Sequence, residues 1–62
     1  MKDILDQLRS EGAEVGVQTL GGELISVVRI REVGDEVVIL GYSDEDKTFF
    51  VPIDAISYVK RM

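Results

Sequence analysis

The spacing of apolar residues changes near Gly12, and the change divides the chain into one helix and a run of strands. Residues 2–11 place Ile4, Leu5 and Leu8 on one side of a helical wheel and Lys2, Asp6, Gln7 and Arg9 elsewhere, with Gly12 as a helix stop. A helix of about three turns is shorter than the roughly 12–15 residues that persist unaided in water, so Leu5 and Leu8 need a surface to pack on. From Val15 the period is two. Val15, Val17 and Thr19 share a face, and Gly21-Gly22 supplies a tight turn with positive φ available. The next run, 23–33, interleaves Leu24, Ser26, Val28 and Ile30 with Ile25, Val27, Arg29 and Arg31. Neither face is apolar throughout, and a strand that changes its buried face partway needs a bend or bulge. Gly34-Asp35 makes another turn, 36–42 a third strand, and Ser43-Asp44-Glu45-Asp46 a polar loop.

Two short apolar strands close the chain with no hairpin loop between them. Thr48-Phe49-Phe50-Val51 meets Pro52, which lacks a ladder donor and fixes its own φ, and Ala55-Ile56-Ser57-Tyr58-Val59 resumes almost at once in a new direction. Strands set at an angle by so tight a corner leave backbone edges that must pair, and in a short chain a second copy is the natural partner. The reading is mainly β: a short N-terminal α-helix over 2–11, then a strongly bent antiparallel five-stranded barrel, SH3-like, with strands over 14–20, 23–33, 36–42, 47–51 and 55–60, all in a single domain spanning 1–62. An OB-type barrel is the other architecture compatible with this order of elements.

Length and composition sharpen that picture. In 62 residues, apolar burial and the cost of ordering the chain nearly cancel, so the monomer is marginal. The sequence has no Cys and no His, which removes disulfides and the usual zinc ligand sets, and no cofactor is expected; assembly is the remaining way to gain stability. Seven basic against twelve acidic residues give a net charge of −5, which opposes a general electrostatic grip on nucleic acid and confines any RNA contact to a local patch. No apolar run reaches the ~20 residues of a membrane span, and the N-terminus lacks a signal-peptide core, so a soluble, cytoplasmic protein is expected. Ser10, Ser26, Ser43 and Ser57 have no base at a productive spacing, and an enzyme is not expected. Asp44-Glu45-Asp46 lacks the alternating ligands and central Gly of a calcium loop. Arg29 and Arg31 share a face at i and i+2 and, with Lys47, form the best basic cluster away from the termini: either a phosphate-positioning strip or a solvated face paired with neighbouring acids.

The whole pattern resembles the Sm and Lsm family of RNA-associated ring proteins, and most closely its Hfq-type branch. The helix of that branch ends in Leu-x-x-Leu-Arg-x-Glu, here Leu5-Asp6-Gln7-Leu8-Arg9-Ser10-Glu11; Val15-x-Val17 and Gly22 follow at the same spacing, Val37-Val38-Ile39-Leu40 after Asp35 looks like its third strand, and Ala55-Ile56-Ser57 with Val59 like its last. The resemblance implies a homo-oligomeric ring of about five to seven subunits, closed by pairing the fourth strand of one copy with the fifth of the next. Phe49, Phe50, Val51, Ile56, Tyr58 and Val59 would form that subunit interface; the alternative is that they fill a monomeric core. It also implies RNA pockets near Asp35, in the turn before the third strand, and at the corner, where Ile53-Asp54 stands in place of the family's Lys-His or Arg-Gly pair. On the opposite face Gln18 takes the place of a base-stacking Tyr, and Ser26-Val27 occupies the region of a second-strand Gly that eases the bend. Two functions follow: a ring that binds single-stranded RNA in a chaperone or processing role, with Gln18, Arg29, Arg31, Asp35, Lys47, Ile53 and Asp54 as candidate contacts, or a ring that has lost its RNA pocket and serves as a scaffold for other proteins.

Overall fold

The helix α1 (Lys2–Glu11) ends where Gly12 turns left-handed, at φ 67°. Two capping bonds hold that end: Gly12 N–H donates to the Arg9 carbonyl at 3.0 Å and Ala13 N–H to the Leu8 carbonyl at 3.3 Å. This is the Schellman arrangement, which Gly adopts without a Cβ penalty, and the partly buried Ala13 packs beside Leu8 in the way such caps favour. The structure, a computed structural model, describes residues 1–42 and 46–62; of the polar loop expected at 43–46, residues 43–45 lie outside the described residues.

Five strands follow: β1 (Glu14–Thr19), β2 (Leu24–Val33), β3 (Val37–Gly41), β4 (Thr48–Pro52) and β5 (Ile56–Arg61), with a short 3₁₀ turn, Ile53–Ala55, between the last two. All pairings are antiparallel, and the order across the sheet is β4-β3-β2-β1-β5. The first three connections are local, and the fifth strand crosses back to the far edge. The sheet curls strongly but stays open, with β4 and β5 as its two unpaired edges. Thr19 N–H bonds the Glu23 carbonyl at 2.9 Å to close the first hairpin, whose three-residue loop ends on Gly22 at φ 91°, the left-handed position such loops require.

The bend expected in β2 is present, and it is made twice. Val15 pairs with Val28 but Val17 with Ile25, so β2 carries one extra residue within 26–27; Ile30 pairs with Leu40 but Glu32 with Ile39, so it carries another at Arg31. The first bulge moves burial from Ile25 to Val28 and Ile30, which answers the mixed faces seen in the sequence. It is achieved with Val27 at φ 58°, a left-handed conformation that a β-branched residue adopts only under strain.

Inside the curl lies one apolar cluster: Leu5, Leu8, Val15, Val17, Ile25, Val28, Ile30, Val38, Leu40, Val51 and Ile56. The helix packs against β2 and sends Leu5 and Leu8 into this core, so the surface its short length demanded is the interior of the bent sheet. At the corner, Ile53 N–H bonds the Glu36 carbonyl at 2.8 Å, and Leu20 N–H bonds the Ala55 carbonyl at 2.8 Å. The 3₁₀ turn is thus tied to both neighbouring turns, which sets the angle between β4 and β5. The Ile53 bond also fixes the phase of the β3–β4 ladder. Residues 49, 51 and 53 bond inward to β3, while 48, 50 and 52 face outward. Pro52 therefore sacrifices no internal bond; the donor it lacks is on the free edge.

Replacing Val27 by Gly is expected to stabilise the protein. Removing a left-handed Cβ gains roughly 1–2 kcal/mol and the added chain freedom of Gly costs about 0.5–1 kcal/mol, for a net gain of about 0.5–1 kcal/mol and a Tm higher by a few degrees. Thermal unfolding of Val27→Gly beside Val27→Ile measures this; a Gly variant no more stable than the Ile variant would mean that the bulge is unstrained.

Candidate nucleic-acid interface

Arg29 and Arg31 come from the stretch of β2 that spans the second bulge, and both are exposed. Arg31 is held in place: it donates from Nη2 to the Tyr42 carbonyl at 2.7 Å, and its guanidinium crosses directly over Gly41, where an added Cβ would stand 2.7 Å from Nε. Gly41 is therefore the residue that lets this arginine lie flat on the sheet. Arg29 stands opposite Glu14 in β1, yet among the described residues its side chain makes no ion pair or hydrogen bond. The helix adds a third cation. Arg9, Arg29 and Arg31 line one concavity of about 330 Å³, floored by Gly12 and Ile30, with no acidic residue among the described residues that line it.

Arg9 and Arg31 also border an adjoining groove of about 740 Å³, where Asp6, Glu32 and Asp46 offset them. Arg9 pairs loosely with Asp6 at 3.4 Å, on an exposed surface where such contacts contribute little. Among the described residues, Arg9 and Arg31 each use one of five donor positions in a side-chain hydrogen bond. Lys47, grouped with Arg29 and Arg31 by sequence, lines neither concavity; its ammonium sits 5.5 Å from the centre of the Phe49 ring, which in turn meets Tyr42 edge-on at 5.7 Å. Arg9 was not among the residues singled out from sequence. The signal was its place one residue after Leu8 and four after Leu5, at the margin of the buried helix stripe that faces β2.

The corner is a different electrostatic environment. The bond from Ile53 to Glu36 brings Asp54 to the turn that holds Asp35 and Glu36, and all three acids are exposed. Ile53 is partly buried and packs against the core. The cation that answers this cluster is Lys2, whose Nζ lies 2.8 Å from Asp35 Oδ1 and ties the start of the helix to the β2–β3 turn. That hydrogen bond and the attraction behind it hold the Asp35 carboxyl below its ordinary value and push the Lys2 ammonium above its own.

The six residues read as a subunit interface occupy different environments. Val51 and Ile56 are buried in the core of their own chain, and Phe49 and Val59 pack partly against it. Phe50 is 69 % exposed on β4, and Tyr58 is 45 % exposed on β5. Along β4 runs a trough of about 480 Å³, lined by Phe49, Phe50, Val51 and Pro52 together with Thr19, Glu23 and Ile25 of the β1–β2 hairpin and Ala55 of the corner. Gln18, half-buried on β1, stands between Leu24 and Tyr58 on the outer side of the sheet.

No family model matches the sequence, and no curated protein matches it. Among solved structures the chain is similar to the 1.55 Å crystal structure of the pleiotropic translational regulator Hfq, with a TM-score of 0.83 and 24 % identity, over 100 % of this chain and 89 % of that one. The helix followed by five antiparallel strands in one bent, open sheet is the Sm fold as Hfq has it.

The Lys2–Asp35 pair gives a titration that can be read directly. Because the folded pKa of Asp35 is depressed, its contribution to stability is present above the unfolded carboxylate value and is lost as pH falls through the lower folded one. Lys2, raised, contributes below its unfolded value and loses that contribution as pH climbs through the raised one. In an NMR titration, the Asp35 side-chain carboxyl should have its midpoint below 3.8 and return toward 3.8 in Lys2→Met. An unchanged midpoint in that variant would remove Lys2 as the cause.

Proposed function

We propose that this chain, built on the Hfq-like Sm fold, is a non-enzymatic, ring-forming module that binds single-stranded RNA, and that its phosphate contacts are made by Arg9, Arg29 and Arg31. The observation that carries this reading is the gathering of three arginines, from two separate elements, around one concavity that no acid among the described residues lines. In a chain of net charge −5, a cationic surface can arise only locally, and a strand and a helix end converge to make one. The open edges support the ring. Both β4 and β5 lack a partner on one side, a mostly apolar trough runs along β4, and Phe50 of β4 is an exposed aromatic. Pairing β4 of one copy with β5 of the next satisfies both edges, and successive copies related by the same rotation make a ring when that rotation closes. Each copy then adds an arginine concavity, so modest contacts sum by avidity.

A scaffold role for other proteins is the second reading, and it too has its observation. The corner where the resemblance places an RNA pocket is occupied by Asp35, Glu36 and Asp54, a surface that repels phosphate. The two readings share the ring and part over the arginines.

Native mass spectrometry of the untagged protein should give a single closed oligomer, and Phe50→Asp should reduce it to smaller species. Fluorescence anisotropy with single-stranded RNA should show binding that weakens linearly on a log–log plot against salt. Replacing Arg9, Arg29 and Arg31 together by Glu should abolish that binding while leaving the oligomer intact. A wild-type oligomer that ignores RNA at low salt would sink the RNA reading and leave the scaffold; a wild-type monomer would sink the ring.

A further inference from the structure

Positive charge on this chain is gathered at one place and is not strung along a path. Of its seven basic residues, Arg9, Arg29 and Arg31 line the concavity of about 330 Å³. The other four lie outside that lining: Lys2 is bound to Asp35, Arg61 donates to Glu11 at 2.6 Å, Lys47 sits by the Phe49 ring, and Lys60 stands on β5 opposite Gly16. Acids border the concavity. Asp6, Glu32 and Asp46 line the adjoining groove, Glu14 pairs with Arg29 across the β1–β2 ladder, and Glu11 immediately precedes Gly12 of the floor.

An RNA strand that runs through a site needs a cationic groove that follows several phosphates in turn. A backbone continuing from this concavity into the adjoining groove would bring its next phosphates against Asp6, Glu32 and Asp46, where like charge opposes it. A strand that ends in the concavity avoids that repulsion. The donors also suit an end. An internal phosphodiester offers one negative charge and two unshared oxygens, whereas a terminal phosphomonoester carries nearly two charges at neutral pH and three acceptor oxygens. Three guanidiniums gathered on one spot match the second more fully, because each presents a planar fork of donors to an oxyanion. Arg31 is held in advance by the Tyr42 carbonyl at 2.7 Å, and a Cβ added at Gly12 would meet no atom within 4 Å, so no side chain fills the space beside that part of the floor. The volume suits one small ligand and not a run of nucleotides.

We infer that the concavity of Arg9, Arg29 and Arg31 is an end-recognition site, which holds the terminal phosphomonoester of a single strand in preference to a phosphate within it. The inference rests on the RNA-binding reading above and adds to it which phosphate the arginines take. Selection is by charge and oxygen count, so it is indifferent to base sequence and sensitive to the state of the strand's end. A strand that has lost its terminal phosphate is then a poorer ligand than one that keeps it.

The test is a competition experiment on the wild-type protein, read by fluorescence anisotropy, with oligoribonucleotides of one sequence that end in a 5′-phosphate, a 3′-phosphate or hydroxyls alone. A phosphorylated strand should compete about 10-fold better than the hydroxyl-ended one, the effect of one added charge-assisted contact, and the two phosphorylated strands together report which end is held. Arg29→Gln should bring that ratio close to one, whatever it does to overall affinity. Lowering the pH to about 5.5 should shrink the preference as the terminal phosphate takes up its second proton near pH 6, since the chain has no His to titrate in that range. A preference that stays constant with pH would overturn recognition of the doubly charged group. Equal competition by all three strands would overturn the end site and leave RNA binding at the arginines standing, and this comparison needs no variant to fold. Adenosine 5′-monophosphate or a phosphoserine peptide that competed as well as the phosphorylated strand would overturn a strand end as the occupant. Wild-type protein that binds none of the strands would remove both claims.

Discussion

Everything in this molecule depends on a flat sheet being made to curl within a single strand. A 62-residue chain has no second sheet to cover its apolar face, so the sheet must wrap on itself, and β2 is the strand that does the wrapping. Its two extra residues turn the strand, bring Val28 and Ile30 to the inside after Ile25, and open a space that Leu5 and Leu8 of the helix fill. The same curvature decides where the ends of the sheet point. Because β4 and β5 lie at opposite ends of one curled sheet, the curl leaves one free edge at each end, and β4 borders a trough shared with the β1–β2 hairpin and the corner residue Ala55.

Charge follows this geometry. The second bulge rotates Arg31 so that it spans Gly41, and the Schellman cap at Gly12 ends the helix where Arg9 reaches the same concavity. Acidic residues collect at the opposite landmark, the 3₁₀ corner bound to the β2–β3 turn. The chain is acidic as a whole, yet cationic and anionic surfaces are sorted by backbone features: a bulge and a cap on one side, a tight corner on the other. Mean composition reports only their sum.

Much of the fold was readable because local signals agreed with one another. The helical period, the stop at Gly12, the paired glycines and the break at Pro52 each act over a few residues, and the structure has a helix and five antiparallel strands in that order. The site was less readable, for reasons that are spatial. Arg9 lies twenty residues before Arg29, and only the helix-on-β2 packing makes them neighbours. Lys47 seemed to belong with the other cations, but an aromatic ring beside it offered a closer partner. Tyr58 sits in an apolar strand, and its exposure at 45 % on β5 sets it apart from the core of its own chain. Val27 shows a further limit. The resemblance set Ser26-Val27 where the family has a Gly that eases the bend, and the bulge imposes the left-handed conformation on Val27.

Pro52 reaches beyond the turn it introduces. An exposed edge strand is a template for any extended chain, and continuous addition of strands is how fibrils grow. On β4 the outward-facing positions are 48, 50 and 52, and the last has no N–H, so the template offers donors only from Thr48 and Phe50 before it fails. A strand added in a fixed register can be held by so short a ladder when side chains such as Phe50 assist it, but one that arrives in an arbitrary register cannot. A residue that costs the folded chain no hydrogen bond therefore acts as a kinetic guard, keeping a sticky edge from recruiting the unfolded chains that surround it during synthesis.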